Sequence, residues 1–172
     1  MPNAADYSAK ERLRDGRAIE IRALRPDDRE DMLAAIDRTS PQSLRTRFFV
    51  PKRGFSETEV AFFMNIDFVD HVALVAEIDE DGRTVIIGGG RYVVVGSGRA
   101  EVAFTVVDAY QGQGVGTLLT RHLVGLARAA GLGQLSAEVL PENVSMRKVL
   151  EKFGFQARGR DPQVIHLTLP LV

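Results

Sequence analysis

The sequence predicts an α/β chain of the α+β kind: a mixed, mostly antiparallel central sheet flanked by helices, in the order β-α-α-α-β-β-β-α-β-α-β. Three observations carry this. Residues 71–107 read as three strands joined by short turns, an antiparallel meander. Residues 26–64 carry three helix-start signals in succession. After residue 107 a glycine-rich turn, Gln111-Gly112-Gln113-Gly114-Val115-Gly116-Thr117, leads from a strand into an amphipathic helical pattern.

The elements follow in order. Residues 1–16 are polar and are expected to be a flexible lead-in; residues 17–172 are expected to form a single domain. Ile19, Ile21 and Ala23 alternate with polar residues as in a strand. Pro26-Asp27-Asp28 opens a helix with Met32, Leu33 and Ile36 on one side, and Ser40-Pro41 opens a second through residue 48. Ser56 and Glu59 form a capping box ahead of Val60, Phe62, Phe63 and Met64, and the Phe and Met positions are expected to be core. Strands are expected over 72–77, 84–95 and 99–107, with Gly88-Gly89-Gly90 marking a bulge or a close backbone approach. A helix over 115–130 stops at Gly131. A strand over 134–140, a helix over 143–153 and a last strand over 164–169 complete the order.

Composition narrows the chemistry. The chain has 172 residues, 45% of them hydrophobic and 26% charged, and a net charge of −1. That balance offers no bulk attraction to nucleic acid or membrane surfaces. There is no cysteine, which excludes disulfides, thiolate metal sites and a cysteine nucleophile. No apolar run approaches the ~20 residues of a spanning helix, and the first ten residues lack the apolar core of a signal peptide. A cytoplasmic location is expected. No His/Asp/Glu cluster has metal-ligand spacing, so no metal is expected.

The glycine turn reads as a phosphate cradle, because a strand turning through glycines into a helix N-terminus presents backbone N–H groups to an anion. A dinucleotide fingerprint does not fit: the glycines are spaced by two throughout, and the preceding strand belongs to an antiparallel meander. A P-loop does not fit either, since no lysine precedes Thr117.

The segment Gln111–Gly116 matches the Q/R-x-x-G-x-G/A signature of the GNAT (Gcn5-related N-acetyltransferase) superfamily. Residues 143–155, with Asn143 near a helix start and Gly154-Phe155 after its end, resemble that family's second signature. The resemblance covers about residues 17–170. Residues 43–49, 67–76 and 138–143 further resemble the acetyltransferase domain of bacterial protein lysine acetyltransferases, which act on acyl-CoA synthetases.

The resemblance implies acetyl transfer from acetyl-CoA, as acyl-donor substrate, to a primary amine. The CoA pyrophosphate would rest on Gln111, Gly112, Gln113, Gly114, Val115, Gly116 and Thr117. The pantetheine arm would pair with the strand edge at Phe104, Thr105 and Val106, and Asn143 would bond the arm from the neighbouring splayed strand. Asn143 also fits a helix N-cap, and the two roles are compatible. Only the neutral amine attacks, and at pH 7 about one lysine amine in 2,500 is neutral, so a general base helps. Glu101 is the first candidate base. Glu138, five residues before Asn143, is the second. His71 and Asp70 are weaker candidates, and His122 and His166 read as structural. Where many family members carry a tyrosine that protonates the leaving thiolate, this chain has Leu150.

The acceptor is expected to be a protein lysine, bound by the helices of residues 40–64 and the loop 65–70, with Arg45, Arg47, Lys52 and Arg53 as a basic rim. Small-molecule amine acetylation and a non-catalytic acyl-CoA sensor are the alternatives. The oligomeric state is not legible.

Overall fold

A computed structural model describes residues 4–39, 56–159 and 161–172. Eight strands form one sheet: β1 Ser8–Arg12, β2 Ala18–Ala23, β3 His71–Glu80, β4 Arg83–Gly96, β5 Arg99–Val106, β6 Gln134–Val139, β7 Gln156–Arg158 and β8 Ile165–Pro170. Their spatial order is β1-β2-β3-β4-β5-β6-β8-β7. Every pair is antiparallel except β5–β6. The described α-helices are α1 Arg29–Asp37, α2 Glu57–Met64, α3 Val115–Ala129 and α4 Val144–Lys152. The expected mixed, mostly antiparallel sheet with flanking helices is therefore the observed architecture. The expected helix at 40–48 lies outside the described residues, as do Arg45, Arg47, Lys52 and Arg53 of the expected basic rim.

Two elements depart from expectation. The flexible lead-in is corrected: Ser8–Arg12 forms an edge strand in register with β2, Ser8 opposite Arg22 and Arg12 opposite Ala18. Its side chains (Ser, Ala, Lys, Glu, Arg) carry no apolar alternation, so backbone pairing holds it rather than burial. Distant side chains reinforce it. The Tyr7 hydroxyl meets Nδ1 of His122 on α3, and Nε2 of the same ring lies 3.0 Å from Glu11 Oε1. The second departure is β7, three exposed residues against β8.

The core lies on both faces of the sheet. Leu119 and Leu123 of α3, Leu150 of α4, and Ile87, Leu135 and Leu167 of the strands are almost fully buried. Helix α3 packs closely on β4. A Cβ built on Gly88 would stand 3.0 Å from Val115, and one on Gly90 would stand 2.7 Å from the Phe104 ring, so the glycine run permits the close approach expected of it. The run also adjoins a bulge, where the β3–β4 register shifts between Ala76 and Glu77. The Ser56 capping box forms as expected: Glu59 N–H donates to Ser56 Oγ and Ser56 N–H to Glu59 Oε1, both at 3.1 Å.

A buried ion cluster anchors the approach to α1. Arg22 of β2 donates to both Asp28 oxygens at 2.7 and 2.9 Å and lies 2.9 Å from Glu77 of β3. The Arg25 N–H adds a bond to Asp28 at 2.6 Å. Burial alone would raise the Asp28 carboxyl; the Arg22 guanidinium and the Arg25 N–H outweigh it and hold the group below the ordinary carboxylate range.

Candidate active site

The site begins where the β5–β6 ladder stops. These parallel strands pair only through Arg99–Gln134, Ala100–Leu135 and Glu101–Ser136. Beyond Glu101 no rung joins them, and a cleft of about 1020 Å³ opens between the two strands and the N-terminal ends of α3 and α4. Glu101, Phe104, Thr105, Val106, Glu138 and Asn143 line it, together with Gln111, Gly112, Gly114, Val115, Gly116 and Thr117. Gln113 does not; its carbonyl instead accepts the Arg14 N–H at 3.0 Å. The residues nominated from sequence thus converge on one opening, with Gln113 behind the wall.

The glycine turn is built as its sequence requires. Gly112 and Gly114 have φ of +79° and +96°, the left-handed region that residues bearing a Cβ rarely adopt. Gly116 differs. Its φ is ordinary, and a Cβ there would meet nothing within 4 Å, so its missing side chain leaves open space rather than relieving strain. Gln111 Nε2 donates to the Val106 carbonyl at 3.2 Å, at the end of β5. Asn143 takes its N-cap role, its Oδ1 accepting the Met146 N–H at 3.2 Å. Tyr110, just before the turn, is buried, with its hydroxyl donating to Glu80 and Arg17 stacked 5.2 Å from the ring centroid. That hydrogen bond, followed by those from Arg38, holds the Glu80 carboxyl below its usual range. The sequence pattern did not single out Tyr110, because its partners lie on β3 and in the segment before β2.

The two candidate bases occupy opposite sides of the opening. Glu101 pairs in register with Ser136, and Ser136 and Glu138 alternate along β6, so both glutamates project from one sheet face. Both are exposed. Glu138 is engaged by His166 Nδ1 at 3.5 Å across the β6–β8 pair. On the same face, Arg91 of β4 donates to His71 Nε2 at 2.9 Å and to the Phe63 carbonyl at 3.1 Å, and Phe62 stacks on the His71 ring. Burial, and then the Arg91 guanidinium, push the His71 imidazole down to about 4. His71 is therefore neutral at physiological pH, with Nε2 as the acceptor and too weakly basic to take a proton from an amine. Phe62, Arg91 and Val93 line the cleft on this face. Sequence periodicity had assigned Phe62 to the core, yet half of it is exposed. Leu150, where the family pattern has a tyrosine, is buried at the cleft wall and offers no proton. Among the described residues, no group of three or more His, Asp or Glu could hold a metal ion.

A family model described as an acetyltransferase (GNAT) domain matches residues 18–156. The chain belongs to this family. Members use acetyl-CoA as acyl donor, and the chain is an acetyl-CoA-dependent N-acetyltransferase. An acetyltransferase of Pseudomonas aeruginosa is 37% identical over 161 residues, 91% of this chain and 86% of that protein. The acetyltransferase Pat of Mycolicibacterium smegmatis is 31% identical over 142 residues, 83% of this chain but 42% of that protein, so this chain spans under half its length. The crystal structure of the GNAT domain of PAT from S. lividans superposes with a TM-score of 0.86 at 35% identity, covering 95% of this chain and 96% of that one. No helix among the described residues is long and apolar enough to cross a membrane.

Proposed function

We propose that this N-acetyltransferase acts on side-chain amines of protein lysines, with enzymes of the acyl-CoA synthetase type as targets, in the cytoplasm. One observation carries the mechanistic reading: Glu101 forms the last rung of the β5–β6 ladder, where both strand edges become free. CoA lies with its pyrophosphate on the backbone N–H groups of the glycine turn, whose left-handed glycines keep Cβ atoms from the phosphate oxygens. The amide-bearing pantetheine arm takes the place of the missing rungs along Phe104, Thr105 and Val106, as in strand addition. Asn143 caps α4 and reaches the arm from the other side of the opening.

The thioester carbonyl then stands near Glu101. Glu101 accepts a proton from the incoming ammonium, directly or through water. The neutral amine attacks the carbonyl carbon, and the tetrahedral intermediate expels the CoA thiolate. With Leu150 in place of a tyrosine, the thiolate takes its proton from the former ammonium or from water, a modest demand for a thiol of pKa about 8.5. Glu138 is the alternative base, although its pairing with His166 makes it the less available of the two. The protein-lysine acceptor is supported by the resemblance of residues 43–49, 67–76 and 138–143 to protein lysine acetyltransferases, and by Phe62 and Arg91, which line the cleft on the same sheet face as the glutamates.

Two measurements test this reading. Thiol release from acetyl-CoA, assayed with purified acyl-CoA synthetases and a panel of small amines, is expected to require the protein acceptors. Turnover with small amines alone points to small-molecule acetylation, and tight CoA binding without transfer to any acceptor points to a sensor. Separately, Gly116→Leu is expected to leave the melting temperature within a few degrees of wild type, because leucine suits a helix and the site is open. The same variant should weaken CoA binding at least tenfold by filling the mouth of the cleft. Unaltered CoA affinity in a folded Gly116→Leu protein removes the glycine turn from the donor site.

A further inference from the structure

We propose that Arg14 is a phosphate-binding residue of the donor site, its guanidinium contacting the phosphates of CoA at the outer end of the cleft. The inference rests on the seating of CoA against the glycine turn. Arg14 precedes the region matched by the family model, which begins at residue 18, and it sits in the turn between β1 and β2. It nevertheless lines the cleft beside Gly112 and Gly114.

Its posture is fixed by the turn itself. The Arg14 backbone N–H donates to the Gln113 carbonyl at 3.0 Å, and Nη1 donates to the Gly112 carbonyl at 3.2 Å. The Cγ and Nε atoms lie 3.6 and 3.7 Å from the point where a Gly114 Cβ would stand.

One of the five guanidinium N–H donors is used on Gly112, and the side chain is exposed. Among the described residues no carboxylate lies within ion-pair distance of it. A planar fork of donors, already anchored and without a counter-ion, matches the geometry of a phosphate. The other charged residues that line the cleft are Arg91, Glu101, Asp108, Glu138, Glu142, Lys148 and Lys152. A Cβ on Gly114 would stand in ordinary contact with the arginine stem, so the stem packs directly against the turn. Both the pyrophosphate and the 3′-phosphate of CoA present the same chemistry, and the experiment separates them.

The test compares wild type, Arg14→Ala and Arg14→Lys by calorimetric titration with CoA and with 3′-dephospho-CoA, and by turnover of S-acetylpantetheine, which has no phosphate. Arg14→Ala is expected to bind CoA about tenfold more weakly, with a shallower salt dependence. Arg14→Lys should recover part of the loss, and all three proteins should turn over S-acetylpantetheine with the same kcat/KM. An equal loss for 3′-dephospho-CoA assigns the contact to the pyrophosphate; a loss confined to CoA assigns it to the 3′-phosphate. The proposal is overturned if folded Arg14→Ala binds CoA as tightly as wild type, or if it binds more weakly with the salt dependence of wild type, since the side chain then only braces the turn. Wild type that fails to bind CoA instead overturns the donor site itself.

Discussion

Replacing Glu101 by Gln is expected to lower kcat by about 10²–10⁴-fold, the range over which a positioned general base acts, while leaving the KM for acetyl-CoA close to wild type. The substitution keeps the size of the side chain and its place on β5, and Glu101 is exposed, so stability should change little. Without the base, the residual rate depends on the amine that is already neutral. It should climb about tenfold per pH unit between pH 7 and 9, as the neutral fraction of a lysine amine does. Steady-state kinetics of both glutamine variants with one acceptor decide the assignment. Full activity in Glu101→Gln, with the loss appearing in Glu138→Gln, transfers the role to β6.

The largest effect on stability is expected at Asp28. Removing one partner of a buried ion pair leaves the other charge uncompensated, at a cost of about 3–5 kcal/mol. Asp28 accepts from both arms of Arg22 and from the Arg25 N–H, and all of these weaken or vanish in Asp28→Asn. Glu77 still faces Arg22, which places the expected cost near 3 kcal/mol. For a chain of this size that corresponds to a fall in melting temperature of roughly 6–12 °C. The effect has a definite pH dependence. Because the folded-state carboxyl is held below its unfolded value of about 3.9, its contribution is fully present above that value. As pH falls through the folded-state value, the contribution is lost. Melting curves should thus show the full gap between wild type and Asp28→Asn from neutral pH down to about pH 5, and a narrowing gap in more acid solution. A pH-independent gap would falsify the assignment of the stability to this ionised pair.

What the sequence showed well were features whose cause is local. Gly112 and Gly114 need left-handed backbone, the Ser56–Glu59 box satisfies its own helix end, and Asn143 caps the helix it precedes. Each can be read within a few residues. The meander from β3 to β5 was equally legible, because hairpins pair neighbours in sequence. Features that depend on distant partners were missed. Ser8–Arg12 has no apolar stripe, and it becomes a strand through β2 and through His122, more than a hundred residues away. Arg14 and Tyr110 acquire meaning only when the β1–β2 turn meets the glycine turn and Glu80 meets the residue before it. Phe62 was misjudged for a related reason: apolar character at helical spacing says which residues share a face, but not whether that face meets a core or borders an opening.

The early end of the β5–β6 ladder has a wider meaning for the solubility of the chain. Beyond Glu101 the two strands carry unsatisfied backbone groups, the kind of surface that recruits stray chains when it lies at the rim of a sheet. Here it lies in the interior of the order, with five strands on one side and three on the other, and it is recessed between the starts of two helices. What the two free edges suit is a slender molecule with amide groups along its length. The fold thus keeps its unpaired edge inside the sheet order and away from the rim, where pairing with other chains begins.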